Sequence, residues 1–246
     1  MSALVRRIRE KLGKAVEALP PELAAGIEFH SNSRGYFYPW GSAMNGQTAR
    51  LEVCRRCLTE LAIEVVVETG TYRGVTTEWL AAFGRPVHSI EIEPRFYHFA
   101  RRRLADHPNV DLRLGDSPGV IGGELATALE GRSVFAYLDA HWREHLPLKE
   151  EITALAGLAR DLVILIDDFE VPGDPGYVFD DYGPVGACTL DFIAPVLTRD
   201  IAVYHPTTAA RNETGRRTGY VLLARGDRNT GFLDSLDLLE RSTGRI

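Results

Sequence analysis

The chain has 246 residues, 45% of them hydrophobic and 25% charged, and its formal net charge is -6. That length buries one large core without disulfides or metal, and the composition excludes a disordered or fibrous class. The acid excess argues against a general nucleic-acid binder, because backbone phosphates demand clustered Lys and Arg.

Leu4, Ile8, Leu12, Val16 and Leu19 fall at helical spacing, and Pro20-Pro21 is expected to stop that helix. Met1–Glu10 mixes both charges without an apolar signal core, and no run nears the length of a membrane span, so a cytoplasmic protein with no membrane partner is expected. Ile27–Gln47 has no clear period and reads as an irregular connector able to fold over a pocket. Its Tyr36, Phe37, Tyr38 and Trp40 can stack on an acceptor or pack on the core. Ala49–Leu61 reads as a helix carrying Cys54 and Cys57. No second pair completes a zinc site, so buried or half-buried thiols on one helix face are expected.

From residue 63 strands and helices alternate. Ile63–Glu68, Val87–Ile92, Val110–Leu114, Ser133–Leu138 and Leu162–Ile166 read as strands. Between them, Thr76–Phe83, Glu93–Ala105, Val120–Leu129 and Lys149–Ala159 read as helices, and Arg101-Arg102-Arg103 as a solvated helix face. A loop rich in Gly, Pro and Asp, Val171–Gly186, then serves as a pocket lid or a solvated insertion. Leu190–Leu197 reads as a helix, and Ile201–His205 and Tyr220–Ala224 as two strands with no helix between them. Alternating units imply a parallel sheet with helices on both faces. The last two strands should pair antiparallel, since a parallel pair needs a long crossover. The chain divides into an N-terminal helical extension and cap, 1–60, and an α/β domain, 61–246. The N-terminal helix can serve a homodimer as well as a cap.

Ligands of such sheets sit at the carboxyl ends of the strands, near the switch point. There the first strand ends in Glu68-Thr-Gly70-Thr71-Tyr-Arg-Gly74. Gly70 and Gly74 allow a tight turn and close backbone approach to a ligand, and Glu68 can orient a cationic or hydroxyl-bearing group. Glu91 closes the second strand about twenty residues later, where a carboxylate can take both hydroxyls of a ribose. The third strand ends in Gly115-Asp116-Ser117, a short polar turn suited to an adenine amino group. Glu68-x-Gly70-x-x-x-Gly74 resembles motif I of the class I S-adenosylmethionine (SAM)-dependent methyltransferases, Glu91 their ribose-binding acid and Gly115-Asp116-Ser117 their adenine-side turn. The resemblance spans roughly residues 60–225. It implies SAM as cofactor, held by Glu68, Gly70, Thr71, Gly74, Glu91, Asp116, Ser117 and Asp139. It also implies a Rossmann-like, mostly parallel seven-stranded sheet ending in an antiparallel hairpin. Tyr72 stands where a dinucleotide fingerprint needs its second glycine, which disfavours NAD.

The fourth strand ends in Asp139-Ala-His141-Trp142 and the fifth in Asp167-Asp168. Neighbouring strands lie about 4.8 Å apart, so Asp139 and one or both of Asp167 and Asp168 can converge. A divalent cation such as Mg²⁺ would relieve their repulsion and lower the pKa of an acceptor hydroxyl. These motifs resemble the metal-dependent O-methyltransferases acting on sugar hydroxyls, the macrocin O-methyltransferase type. They resemble the catechol enzymes more loosely, and a similar Asp-x-His occurs in the related cephalosporin-biosynthesis family. The reading makes Asp139, His141 and Asp168 catalytic, Asp139, Asp167 and Asp168 metal ligands, and the acceptor a small-molecule hydroxyl. His141 is either a general base or a polar wall of the pocket. A nucleic-acid or protein methyltransferase is the second class; the charge and the lack of an Asn-Pro-Pro-Tyr-like stretch after the fourth strand stand against nucleic acid. A nucleotide-binding relative without transferase activity is the third, because fold alone never fixes chemistry.

Overall fold

In a computed structural model, residues 15–242 are described, apart from 17, 39, 41 and 143. The helix expected over Leu4–Leu19 therefore lies largely outside the described residues. Among those described, eight strands form one sheet: β1 (Val65–Thr69), β2 (Val87–Glu91), β3 (Val110–Leu114), β4 (Ser133–Leu138), β5 (Asp161–Asp167), β6 (Ala202–Pro206), β7 (Tyr220–Arg225) and β8 (Leu239–Arg241). Their order is β3-β2-β1-β4-β5-β7-β6-β8. The first five pair parallel, and β7 enters antiparallel between β5 and β6. One strand more is present than the sequence suggests. β8 is a three-residue edge pairing with β6, too short to carry a period of its own.

The central strands are apolar almost without interruption because helices cover both faces. Val65 and Val67 point into one half of the core, with Ile121, Leu148, Ile152 and Leu155. Val66 points into the other, with Val53, Cys57, Leu58 and Leu80. The helices are α1 (Pro21–His30), α2 (Arg34–Phe37), α3 (Thr48–Glu60), α4 (Val75–Ala81), α5 (Pro94–Arg103), α6 (Ser117–Gly122), α7 (Ala126–Leu129), α8 (Leu148–Leu158), α9 (Leu190–Ile193) and α10 (Asp227–Asp234). Cys54 and Cys57 are fully buried on α3, and burial pushes the Cys57 thiol up to about 12.

Several expectations are corrected. A new helix begins directly at the prolines, with Pro21 in the first turn of α1, where a missing N–H costs nothing. The connector thus begins after a helix that packs along α5, with Glu28 pairing Arg73 and Arg95. Val120–Leu129 is two short helices, broken at Gly122-Gly123. Arg103 is nearly buried, bonded to Glu78 and the Phe37 carbonyl, so only part of the arginine run is a solvated face. No helix of the described residues is long and apolar enough to cross a membrane.

Candidate active site

β1 and β4 are neighbours in the sheet yet not consecutive in the chain, so their carboxyl ends part around a crevice. A cavity of about 710 Å³ opens there. Gly70 sits at φ +80, and a side chain on it would overlap the Asp139 carbonyl. Only glycine lets the loop after β1 lie against the end of β4. The Gly70 and Thr71 N–H groups donate to the Ile90 carbonyl at 2.9 and 3.2 Å, tying the loop to β2. Tyr72 takes φ +50, an uncommon conformation for a bulky residue, and its N–H donates to Glu91 Oε2 at 2.6 Å. The Glu93 N–H donates to the other oxygen at 2.8 Å. Glu91 therefore lies oriented against the cavity with lone pairs remaining, and burial pushes its carboxyl up to about 6.

Of the residues assigned to the cofactor from sequence, Gly70, Thr71, Glu91, Ser117 and Asp139 line the cavity, whereas Glu68, Gly74 and Asp116 do not. Glu68 is buried behind the glycine loop, where Thr77 and Ser89 both donate to its Oε2 at 2.5 Å. Burial pushes it up to about 7. Through that oxygen it braces the loop from behind. Gly74, at φ +75, starts α4 and packs on Leu104. Asp116 is 55% exposed and pairs with His145 at 3.2 Å. Ser117 donates to the buried Glu151 at 2.6 Å.

The acidic ends of β4 and β5 part company. Asp167 is expected from the sequence among metal ligands, and that assignment is corrected. It is fully enclosed and paired with the equally enclosed Arg50 of α3. Tyr137 donates its hydroxyl to the same carboxylate. Asn45 Nδ2 donates at 3.1 Å and Thr218 Oγ1 at 3.2 Å. Burial alone would raise the Asp167 pKa, but Arg50 and the Tyr137 hydroxyl hold it below the usual carboxylate range. Its oxygens are engaged and it does not line the cavity.

Asp168 turns the other way. Asp167 Oδ1 accepts the Asp168 N–H at 2.6 Å, and Asp168 takes φ +47, a left-handed conformation that Asp tolerates better than most residues. Its carboxylate thereby meets Asp139 and His141, whose ligand atoms and its own all lie within 4.8 Å of one another. Asp168 Oδ1 and both His141 nitrogens are buried without a hydrogen-bond partner. Such orphaned atoms demand an explanation, and a divalent cation among one imidazole and two carboxylates supplies one. Burial and then the Asp167 and Asp180 charges push Asp168 up to about 7. Loss of bulk water, then Asp167 and Asp168, hold Asp139 well above its ordinary range.

His141 Nε2 lies 3.9 Å from both Asp139 Oδ1 and Asp180 Oδ2. Burial pushes the imidazole below its ordinary value. The Val171–Gly186 loop reaches the cavity through Asp180, whose N–H donates to the Asp168 carbonyl at 2.9 Å. The connector aromatics divide: Phe37 packs on Phe29 and Phe99, while Trp40 lines the cavity. The sequence reading missed Arg50 and Asn45, since neither stands in a motif; a lone arginine among the apolar positions of a helix is the only signal.

The sheet order, the glycine turn at the switch point and the acid ending β2 make this the Rossmann-like fold of class I SAM-dependent methyltransferases. The chain is similar to the structure of an O-methyltransferase from Bacillus cereus in complex with SAH: 14% identity, 89% of this chain and 97% of that one covered, TM-score 0.57. It is also similar to the O-methyltransferase TomG from Streptomyces achromogenes, involved in tomaymycin synthesis and solved with SAM. There the identity is 19%, the coverage 72% and 78%, and the TM-score 0.52. At these identities the likeness establishes the fold. No family model and no curated protein matches the chain.

Proposed function

We propose that the chain is a SAM-dependent methyltransferase acting on a hydroxyl of a small molecule, with a divalent cation held by Asp139, His141 and Asp168. One observation carries the reading: the loop at Gly70, the Glu91 carboxylate and the three orphaned or crowded ligand groups face one cavity. SAM would bring the electrophilic methyl group, and a bound cation would lower the pKa of the acceptor hydroxyl.

The chain's own residues supply the rest. Gly70 brings the backbone close to the ligand. Glu91 accepts from ribose hydroxyls with the lone pairs that Tyr72 and Glu93 leave. Gly115 and Ser117 border the adenine side. Asp167 holds Asp168 in its left-handed conformation and so aims it at Asp139 and His141. On the same reading residues 1–60 are the cap and 61–246 the SAM-binding domain, which the cavity contacts of Leu19, Pro21 and Trp40 support. A second role for His141 is favoured by its lowered pKa. A neutral imidazole can take the acceptor's proton, with Asp139 and Asp180 beside it to stabilise the charge formed.

Calorimetry with SAH and NAD, then methyl-transfer assays on sugar, catechol and RNA acceptors with and without Mg²⁺, tests the proposal. SAH binding and cation-dependent transfer to a sugar or catechol hydroxyl is the expected result. NAD binding without SAH binding refutes it. Full activity after exhaustive chelation removes the cation and leaves His141 as the base.

A further inference from the structure

Trp40 and Arg216 border the same cavity, yet neither the cofactor residues nor the Asp139–His141–Asp168 cluster engages them. The Arg216 guanidinium lies over the Trp40 ring, 4.7 Å from its centroid. Its backbone is clamped: the N–H donates to the Asn45 carbonyl at 2.9 Å, and its carbonyl accepts from Gln47 Nε2 at 2.5 Å and the Thr218 N–H at 2.9 Å. Gly215 precedes it at φ +64, where any side chain would overlap the Asn45 carbonyl. Trp40 takes φ +62, an uncommon conformation for a bulky residue, and is 57% exposed.

The other two arginines lining the cavity, Arg73 and Arg95, share the buried Glu28. Among the described residues, Arg216 has no carboxylate within ion-pair distance and its guanidinium makes no hydrogen bond; its contact is the indole. A surface arginine usually swings free or settles on a neighbouring acid. This one is fixed at its backbone, laid on an aromatic plane and turned to a cavity with its planar fork of donors unused. That fork matches a planar or tetrahedral oxyanion bidentately.

We propose that Arg216, held by Trp40, is a binding site for an anionic group, carboxylate or phosphate, on a molecule occupying the cavity. The inference rests on the methyltransferase reading for its two possible sources. One is the methionine carboxylate of the cofactor. The other is an acid group on the hydroxylic acceptor, which would make the acceptor a hydroxy acid or a phosphorylated or acidic sugar.

Calorimetric titrations of wild type, Arg216→Gln and Arg216→Lys with four probes separate these. SAH carries the amino-acid end and methylthioadenosine lacks it; 3,4-dihydroxybenzoate carries a carboxylate and catechol lacks it, both added with and without SAH. If the cofactor is the source, Arg216→Gln weakens SAH about tenfold or more and leaves methylthioadenosine unchanged. If the acceptor is the source, SAH binding is unchanged and the preference for dihydroxybenzoate over catechol disappears. Arg216→Lys restores part of the loss in either case, since charge returns without the fork. Equal SAH binding in all three proteins, with no difference between dihydroxybenzoate and catechol in any of them, overturns the anion site. Absence of SAH binding to wild type instead refutes the cofactor reading, and the dihydroxybenzoate titration on the free protein then decides the anion site alone.

Discussion

Arg50 and Asp167 form an ion pair from which solvent is wholly excluded, both side chains being 0% exposed. Arg50 comes from α3, ahead of the sheet, and its second amino group donates to the Thr218 and Gly219 carbonyls at 2.7 and 3.2 Å. Removing one partner leaves a buried charge uncompensated. Arg50→Met should cost about 3–5 kcal/mol in urea denaturation, and the double variant Arg50→Met/Asp167→Asn should recover part of that loss. A double variant no more stable than the single one would show that the pair is not coupled.

For the ligand cluster, Asp139→Ala and Asp168→Ala should abolish methyl transfer while SAH affinity changes less than about threefold, because Glu91, the proposed ribose ligand, lies outside the cluster. His141→Ala separates its two roles. Loss of Mn²⁺ binding, followed by paramagnetic resonance, marks a ligand. Retained metal binding with loss of the pH-dependent limb of kcat marks a base.

Two acids at strand ends should behave oppositely. Glu91→Ala is expected to weaken SAH by about tenfold or more, since it removes an oriented carboxylate from the cavity wall. Asp116→Ala is expected to leave SAH affinity within about twofold, since that side chain is half in solvent and paired with His145. Calorimetry on the two variants checks both.

Gly70→Ala meets a positive φ and the Asp139 carbonyl together. A destabilisation of roughly 3 kcal/mol, or loss of SAH binding where the loop yields instead, is expected from thermal and calorimetric measurements.

Glu68 supplies a pH test. Burial pushes its carboxyl in the folded protein up to about 7, above the ordinary 4.5. The protonated form is thus favoured by folding, and its contribution is complete below about pH 4.5 and lost as pH rises through about 7. Glu68→Gln, which stays neutral, should therefore gain stability relative to wild type between pH 5 and pH 8. The gain has an upper bound of roughly 3 kcal/mol, visible as a pH-dependent difference in Tm. A difference independent of pH would mean that Thr77 and Ser89 hold the carboxylate charged.

The alternation from Val65 onward was legible because parallel strands buried on both faces are continuous apolar runs, and glycine and acid at their ends mark where ligands sit. Gly70, Glu91, Asp139 and Asp168 could be placed at the site for that reason. The roles of adjacent residues could not. Asp167 and Asp168 are chemically identical in the sequence, and only the left-handed turn at Asp168 sends one inward to Arg50 and the other to the cavity. Glu68 stands at the expected position of its motif, but its Oε2 accepts from both Thr77 and Ser89 behind the loop. Asn45 and Arg216 belong to segments with no period or motif, and the helical pattern around Arg50 does not name its partner; their contacts arise only from the packing of the chain's early and late parts.

The insertion of β7 between β5 and β6 also makes the centre depend on chain remote from it in sequence. A chain folded only as far as β5 already contains the glycine loop, Glu91, Asp139, His141 and Asp168. It lacks the Thr218 and Gly219 carbonyls that receive Arg50, and lacks Tyr220, over whose ring the guanidinium lies at 4.8 Å. In the folded chain those carbonyls and that ring enclose the Arg50–Asp167 pair, and Asp167 in turn accepts the Asp168 N–H. These contacts join residues 168 and 169 apart in sequence, the long-range kind that slows folding. The centre is thus buttressed by backbone from a late part of the chain, so a change near Thr218 can reach Asp168 without touching the cavity.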